Sequence, residues 1–362
     1  EDWRADFAHF DEEPLASASI AQTYSASLLD RTEVIVKVRR PGTAARMEAD
    51  VRLLARLAAV AEASSPDIAR YRPVEFLRTF GRNLAWEMDL AAESRACERV
   101  GAYLDTLGIK TPAIHWEFTG LRVNVQERLY GKPVSVLGAV SGDPFVAAFA
   151  KRYANAVLRM IILNGEFHGD PHPGNVFLIG EQDVGFIDFG SVGALTKARR
   201  EQIIQLVLAI ADDETSEVTA VLLEWAGDPK VDRDALTVDL DLLIGEFKGT
   251  VLAGIKFSQI FSRVFDLLRE YRLVLPPDLA ILMRTLLTAE GFVRSIAPDY
   301  NIAEETRPII IELFAERFSL GNALSNLKTL RRHFFGLSSA LPDILANATS
   351  IAKSGFVPVQ LD

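Results

Sequence analysis

The chain has 362 residues, 49% of them hydrophobic, a formal net charge of −10 and a single cysteine, Cys97. That is enough apolar material for one bilobal unit or two to three domains. The acidic balance argues against nucleic acid as the main partner, and one cysteine excludes a disulfide framework or a multi-cysteine metal site within the chain and suits a reducing compartment. No signal peptide and no run of about 18 uncharged apolar residues is legible. The chain opens Glu1-Asp2-Trp3-Arg4 without Met, so upstream sequence is expected to have been removed.

Residues 14–38 read as two strands with a small-residue loop. Pro14-Leu15-Ala16-Ser17-Ala18-Ser19 leads into a strand from Ile20 to Ala26, Asp30-Arg31 makes a turn, and Glu33-Val34-Ile35-Val36-Lys37-Val38 is a β-branched strand closed by Pro41-Gly42. Residues 44–63 show a helical period, with Met47, Val51, Leu54, Leu57, Ala58 and Ala61 on one face. A second helical stretch is expected from about Pro73 to Leu104, carrying Glu87, Asp89 and Glu93, the last two sharing a face. Leu121 to Leu129 is strand-like and ends at Gly131-Lys132-Pro133; residues from about 144 to 166 are helical. Val176–Ile179 and 184–187 are two short apolar strands joined by a hairpin turn at Gly180-Glu181-Gln182-Asp183. From 196 to about 350 almost everything reads helical, with a break at Leu275-Pro276-Pro277-Asp278. The order predicts an α+β, protein-kinase-like bilobal fold. Residues 1–130 form a small β-rich lobe with inserted helices, 131–300 a larger, mainly α lobe, and 301–362 a helical extension.

Between 167 and 193 the chain carries His168-Gly169-Asp170-Pro171-His172-Pro173-Gly174-Asn175, and then Asp188-Phe189-Gly190. Phosphoryl transfer asks a protein mainly for positioning and charge neutralisation. Asp170 and Asn175 fit the D-x-x-x-x-N spacing, and the apolar hairpin would run out and back, returning Asp188 beside Asn175. On this reading Asn175 and Asp188 hold Mg2+ against the phosphates of ATP (or ADP), and Asp170 is the base or orienting carboxylate. Gly190 would give the backbone freedom just after the metal ligand. Either motif alone could be an ordinary Asx-rich loop; the pair at this spacing is specific. Lys37 ends a Val-Ile-Val-Lys strand, where a phosphate-pairing lysine sits. It needs a carboxylate to stay aimed, for which Glu87, Asp89 and Glu93 are the candidates. Glu127 to Leu129 would offer backbone groups to adenine.

The loop Ala16-Ser17-Ala18-Ser19 stands where an ordinary kinase has its glycine-rich loop. With Val36-Lys37-Val38-Arg39-Arg40-Pro41-Gly42, Glu87-x-Asp89, His168 to Asn175, Asp188-Phe189-Gly190 and Ala289-Glu290-Gly291, the chain resembles the UbiB (AarF, coenzyme Q8-type) family of atypical kinases over roughly residues 10–300. The resemblance implies a kinase-like fold with helical additions, ATP and Mg2+ binding through Ala16, Ser17, Ala18, Ser19, Lys37, Glu127, Leu129, Asn175 and Asp188, and ATPase or unorthodox kinase activity. It puts Glu87 and Asp89 close to the active site and gives Glu93 to Lys37. It also implies work on ubiquinone or a related isoprenoid lipid, quinone-pathway proteins as partners, and a cytoplasmic place at the inner face of the cell membrane.

Departures from the family and from ordinary kinases matter. The family's K-x-G-Q motif is not found in this sequence, nor is a terminal hydrophobic segment. Gly169 replaces the arginine of H-R-D, so a phosphorylated activation loop would have no partner there, and no Ala-Pro-Glu follows Gly190. Two other readings stand beside the resemblance. One is a small-molecule phosphotransferase of the aminoglycoside or choline type, which shares the catalytic loop; the other is a pseudokinase scaffold. Apolar faces such as Ile203, Val207 and Ile210 are expected to be core.

Overall fold

The computed structural model describes residues 3–69, 73–134, 143–180, 183–211, 213–227, 229–247, 257–298, 300, 309 and 312. Its contacts divide the chain into two compact units, Glu1–Val136 with Pro173–Val192, and Leu137–His172 with Gly193–Asp362.

The first unit is built on an antiparallel sheet. Strands β1 (Phe7–Phe10) and β2 (Ala16–Ser17) both pair with β3 (Ala21–Leu28). The sheet continues through β4 (Glu33–Arg39) to β5 (Val123–Glu127). The strands alternate, so Val34 and Val36 point into a core with Ala26, Leu28 and Val125, while Lys37 leaves by the opposite face. In register, Lys37 lies between Thr23 of β3 and Asn124 of β5.

Between β4 and β5 run α1 (Thr43–Ser64), a short α2 (Pro66–Ala69), α3 (Pro73–Glu87) and α4 (Leu90–Thr106). The single helix expected over 73–104 is broken at Met88-Asp89. Asp89 is extended (φ −97°, ψ 94°) and caps α4, its carboxylate accepting from the Ala92 N–H at 3.0 Å. An Asx cap competes with continuation of the helix, which is why the break falls there. Asp89 therefore does not share a helix face with Glu93. Helix α4 packs on β5. It buries Val100 and Leu104 completely, roughly 1.5–3 kcal/mol each relative to exposure. A second small sheet joins β6 (Lys132–Pro133), β8 (Val176–Ile179) and β9 (Asp183–Phe186). Of the hairpin turn, Gly180 adopts φ +58°, a left-handed conformation that suits glycine, while 181–182 lie outside the described residues.

The second unit is mainly helical. Helix α5 (Pro144–Arg159) starts at an Asp143 cap with proline in first position, then widens into a π turn over Met160–Asn164. It buries Phe149, Tyr153 and Val157. Gly165 (φ +83°) ends it and leads to β7 (Glu166–His168), which pairs with β10 (Val192–Ala194), whose last two residues belong to this unit.

Then come α6 (Lys197–Ala211), α7 (Thr215–Trp225), α8 (Arg233–Phe247), α9 (Phe257–Glu270) and α10 (Pro277–Ile296). Leu222, Leu236, Leu240, Leu267 and Leu268 form the core of α7, α8 and α9. The Pro276-Pro277 break falls where the sequence places it, although no side chain caps α10. The helical extension expected over 301–362 lies outside the described residues except at Ile309 and Glu312, the latter bridged to Arg159.

Candidate functional site

Lys37, Glu93 and Asp188 converge in the first unit. Lys37 Nζ donates to Glu93 Oε1 in a short ion pair and lies 3.6 Å from Asp188 Oδ2. Strand β4 supplies the lysine by alternation, and α4 supplies Glu93 from its first turn, just after the Asp89 cap. Of the three candidate acids, it is Glu93 that meets Lys37. Asp89 is engaged with the Ala92 N–H and with Arg95 at 3.3 Å, and Glu87 is an exposed residue at the end of α3.

The Lys37 and Glu93 side chains are each 12% exposed and that of Asp188 is 43% exposed, so the cluster opens to solvent through Asp188. Burial disfavours the Lys37 ammonium, yet the Glu93 and Asp188 carboxylates outweigh it and hold its pKa above the ordinary lysine value. The same burial, helped by Asp188, pushes Glu93 upward against the pull of Lys37. With Lys37 held as an ammonium, the Lys37–Glu93 contact is an ion pair. Two carboxylates against one ammonium then leave excess negative charge at the open end.

That donor set fits a divalent cation of the Mg2+ kind, which takes one or two protein oxygens and fills its remaining positions with phosphate and water. Among the described residues no group of three or more His, Cys, Asp or Glu gathers as an all-protein metal cage. Asn175 ends a short 3-10 turn, and its carbonyl accepts from the Ile187 N–H at 3.1 Å, one residue before Asp188. The apolar hairpin β8–β9 thus returns the chain beside Asn175. Asp188 Oδ1 also accepts from the Gly190 N–H at 2.9 Å. Gly190 is not in the left-handed region, contrary to the expected need for backbone freedom. Its lack of a side chain matters instead for space: a Cβ there would stand 3.2 Å from Asp188 Oδ1.

The loop Ala16 to Ser19 is exposed, and Ala16-Ser17 is zipped to Thr23 and Gln22 as β2. Arg40 braces it, donating to the Ala18 carbonyl at 2.9 Å and to Ser17 Oγ at 2.6 Å. The Glu127 N–H is committed to the Ala113 carbonyl at 2.8 Å, and Leu129 is half-buried beyond the strand end.

Three residues to which the motif reading gave no role also shape this region. Asn124 donates to Gln126 at 3.3 Å, and Gln126 donates to the Ile187 carbonyl at 3.4 Å, tethering β5 to the segment before Asp188. Arg40 is the third. The signal for the first two was present in Val123-Asn124-Val125-Gln126, where buried amides alternate with valines. Cys97 is buried on α4 and its thiol is pushed up to about 12 by burial, which makes it a packing residue rather than a nucleophile.

Asp170 lies in the second unit. Its N–H donates to His168 Nδ1 at 3.1 Å, and the flanking carbonyls of Gly169 and Pro171 accept from Thr285 and Tyr153 respectively.

A lysine–glutamate pair under a β-sheet with an Asp-Phe-Gly aspartate beside it defines an atypical kinase-like protein. Residues 1–222 match the ABC1 atypical kinase-like domain and residues 241–301 match the UbiB helical domain, so the chain belongs to the UbiB family. It is 29% identical over 348 residues to the Cellvibrio japonicus protein named Probable protein kinase UbiB, an alignment covering 94% of this chain and 63% of that protein. It is 30% identical over 339 residues to the protein of that name from Azotobacter vinelandii, covering 89% and 61%. The chain thus spans less than two thirds of the length of these relatives. Its fold is similar to that of Rv3197 from Mycobacterium tuberculosis in a complex with erythromycin, with TM-score 0.60, 20% identity, and coverage of 86% of this chain and 79% of that one.

Proposed function

We propose that the chain binds ATP (or ADP) with Mg2+ and works as an atypical kinase or ATPase whose phosphate acceptor is water, a lipid or a small molecule. The observation that carries this reading is Lys37 held between Glu93 and Asp188. Lys37 is kept charged and aimed for the phosphates, Glu93 fixes its position, and Asp188 with Asn175 would hold the metal. Bound there, Mg2+ neutralises phosphate charge and orients the triphosphate. Asp170 takes the role of base or orienting carboxylate, Ala16 to Ser19 cover the phosphates, and the Glu127–Leu129 segment receives adenine. Glu87 and Asp89 act at the edge of the site, Asp89 by capping the helix that presents Glu93. In this reading residues 1–130 and 131–300 act as the two lobes.

The wider role proposed is support of ubiquinone or related isoprenoid-lipid synthesis, with quinone-pathway proteins as partners, at the inner face of the cell membrane. It rests on the family, in which the curated relatives carry the name UbiB. The contact proposed is peripheral; among the described residues no helix is long and apolar enough to cross a membrane. The test is ATP hydrolysis with and without liposomes and a quinone-precursor mimic. A lipid-dependent rise that vanishes in Asp188→Asn supports the proposal. Hydrolysis indifferent to lipid, with saturable phosphorylation of a soluble amine or hydroxyl compound, would favour a small-molecule phosphotransferase.

A further inference from the structure

The carbonyls of the two residues on either side of Asp170 are tied to buried side chains of the helical unit. Tyr153 of α5, fully buried, donates its hydroxyl to the Pro171 carbonyl at 2.6 Å. Thr285 of α10, also fully buried, shares its one hydroxyl proton between the Gly169 carbonyl at 3.1 Å and the Ile281 carbonyl of its own helix at 2.9 Å, and Arg284 donates to the Gly169 oxygen at 3.1 Å. Asp170 itself donates its N–H to His168 Nδ1. The anchors are braced against one another, because the Tyr153 ring packs edge-on against Phe292 of α10 with centroids 4.9 Å apart. Burial, with Asp170 nearby, raises the Tyr153 pKa well above that of an ordinary tyrosine, so its hydroxyl stays a donor.

We propose that Tyr153 and Thr285 are positioning residues that fix the Asp170 carboxylate for phosphoryl transfer, so that α10, within the UbiB helical domain, is part of the catalytic apparatus. The proposal rests on the reading of Asp170 given above. It also accounts for Gly169. A residue there whose carbonyl is gripped from α10 needs no arginine side chain to order the loop, and the loop is held in its working shape without phosphorylation.

Buried hydroxyls make this testable with near-isosteric changes. In the full chain, Thr285→Val and Tyr153→Phe are expected to lower kcat for ATP turnover by roughly 10- to 100-fold, the scale of a small misplacement of a catalytic group. Nucleotide affinity should stay within about 2-fold, because the Lys37 cluster is untouched and uniform binding is preserved. Thr285→Ser, which keeps the hydroxyl, should restore kcat. Hydrogen exchange of the peptide covering 167–172 should quicken in Thr285→Val and return in Thr285→Ser. Unchanged kcat and exchange in both variants would overturn the proposal. So would parallel loss of kcat, nucleotide affinity and melting temperature, which marks a merely structural role. If Thr285→Val does not fold, Tyr153→Phe decides alone. Asp170→Asn separates the two levels. Full turnover in that variant sinks the reading of Asp170 and this proposal with it, whereas an inactive Asp170→Asn beside a fully active Thr285→Val sinks this proposal alone.

Discussion

In the first unit the candidate site side chains are held by charge. Lys37 sits between Glu93 and Asp188, and each of the three would be costly to leave alone so close to the core. In the second unit Asp170 is held by its backbone, through the neutral hydroxyls of Tyr153 and Thr285 and the ring of His168, with one charged donor, Arg284. The first arrangement makes an electrostatic site whose excess negative charge suits a cation. The second holds the backbone on either side of one carboxylate. Removing a member of the first should upset stability and nucleotide binding together. Removing a member of the second should upset turnover with only a small loss of stability.

Variants at the functional residues press on that contrast in order of size. Asp170→Asn should lower ATP turnover by about 100-fold or more while nucleotide affinity holds, which steady-state kinetics and a nucleotide titration check together. Lys37→Met strips the ammonium from two carboxylates, and breaking a buried pair in this way costs about 3 kcal/mol; denaturant unfolding reads the loss. Tyr153→Phe should cost only about 1 kcal/mol in the same assay, as expected for one neutral hydrogen bond. Equal destabilisation by the two would erase the contrast.

A pH series sharpens it further. The folded pKa of Lys37 lies above its ordinary value of 10.5. The stability it contributes is therefore full below that value and lost as pH rises through the folded one. The gap in unfolding free energy between wild type and Lys37→Met should stay constant from about pH 6 to about pH 10 and shrink above that. A gap that closes toward neutral pH would mean that Lys37 is not held charged. The smallest effect expected is at the nucleotide loop. Ala18→Gly should loosen a segment that Arg40 braces through the Ala18 carbonyl, and tighten or otherwise alter ATP binding by a few-fold. Identical affinity and turnover in both forms would show that the loop's side chains do not limit phosphate approach.

Much of the charged site was legible because it is written in spacing. The Val-Ile-Val-Lys alternation places Lys37 on the face away from the core, and the apolar runs either side of Gly180 bring Ile187 back to Asn175. Other features were hidden because they depend on residues distant in the chain. Helical periodicity ran on through Met88-Asp89, since nothing local distinguishes an Asx cap from an exposed helical aspartate; Arg39, donating to the Met88 carbonyl at 2.7 Å, marks the break only once β4 is in place. Strand β1 and the short β10 carry too few residues for a period to emerge. Nothing in the sequence singles out Tyr153 or Thr285, and no pattern within either helix points to the carbonyls of Gly169 and Pro171. The role expected for Gly190 failed for a related reason, because a backbone dihedral is not written in residue type, whereas the closeness of Asp188 is a matter of packing.

Asp188 and its neighbours are proposed to form a metal-dependent nucleotide site, and one titration tests that proposal. ATP binding to the full chain would be measured with a fluorescent nucleotide, with and without Mg2+, in wild type and in Asp188→Asn. Affinity that depends on Mg2+ in wild type, and loses that dependence in an Asp188→Asn variant whose circular dichroism shows it still folded, is the result predicted here. Nucleotide binding equally tight with and without Mg2+, and unchanged by Asp188→Asn, would contradict it.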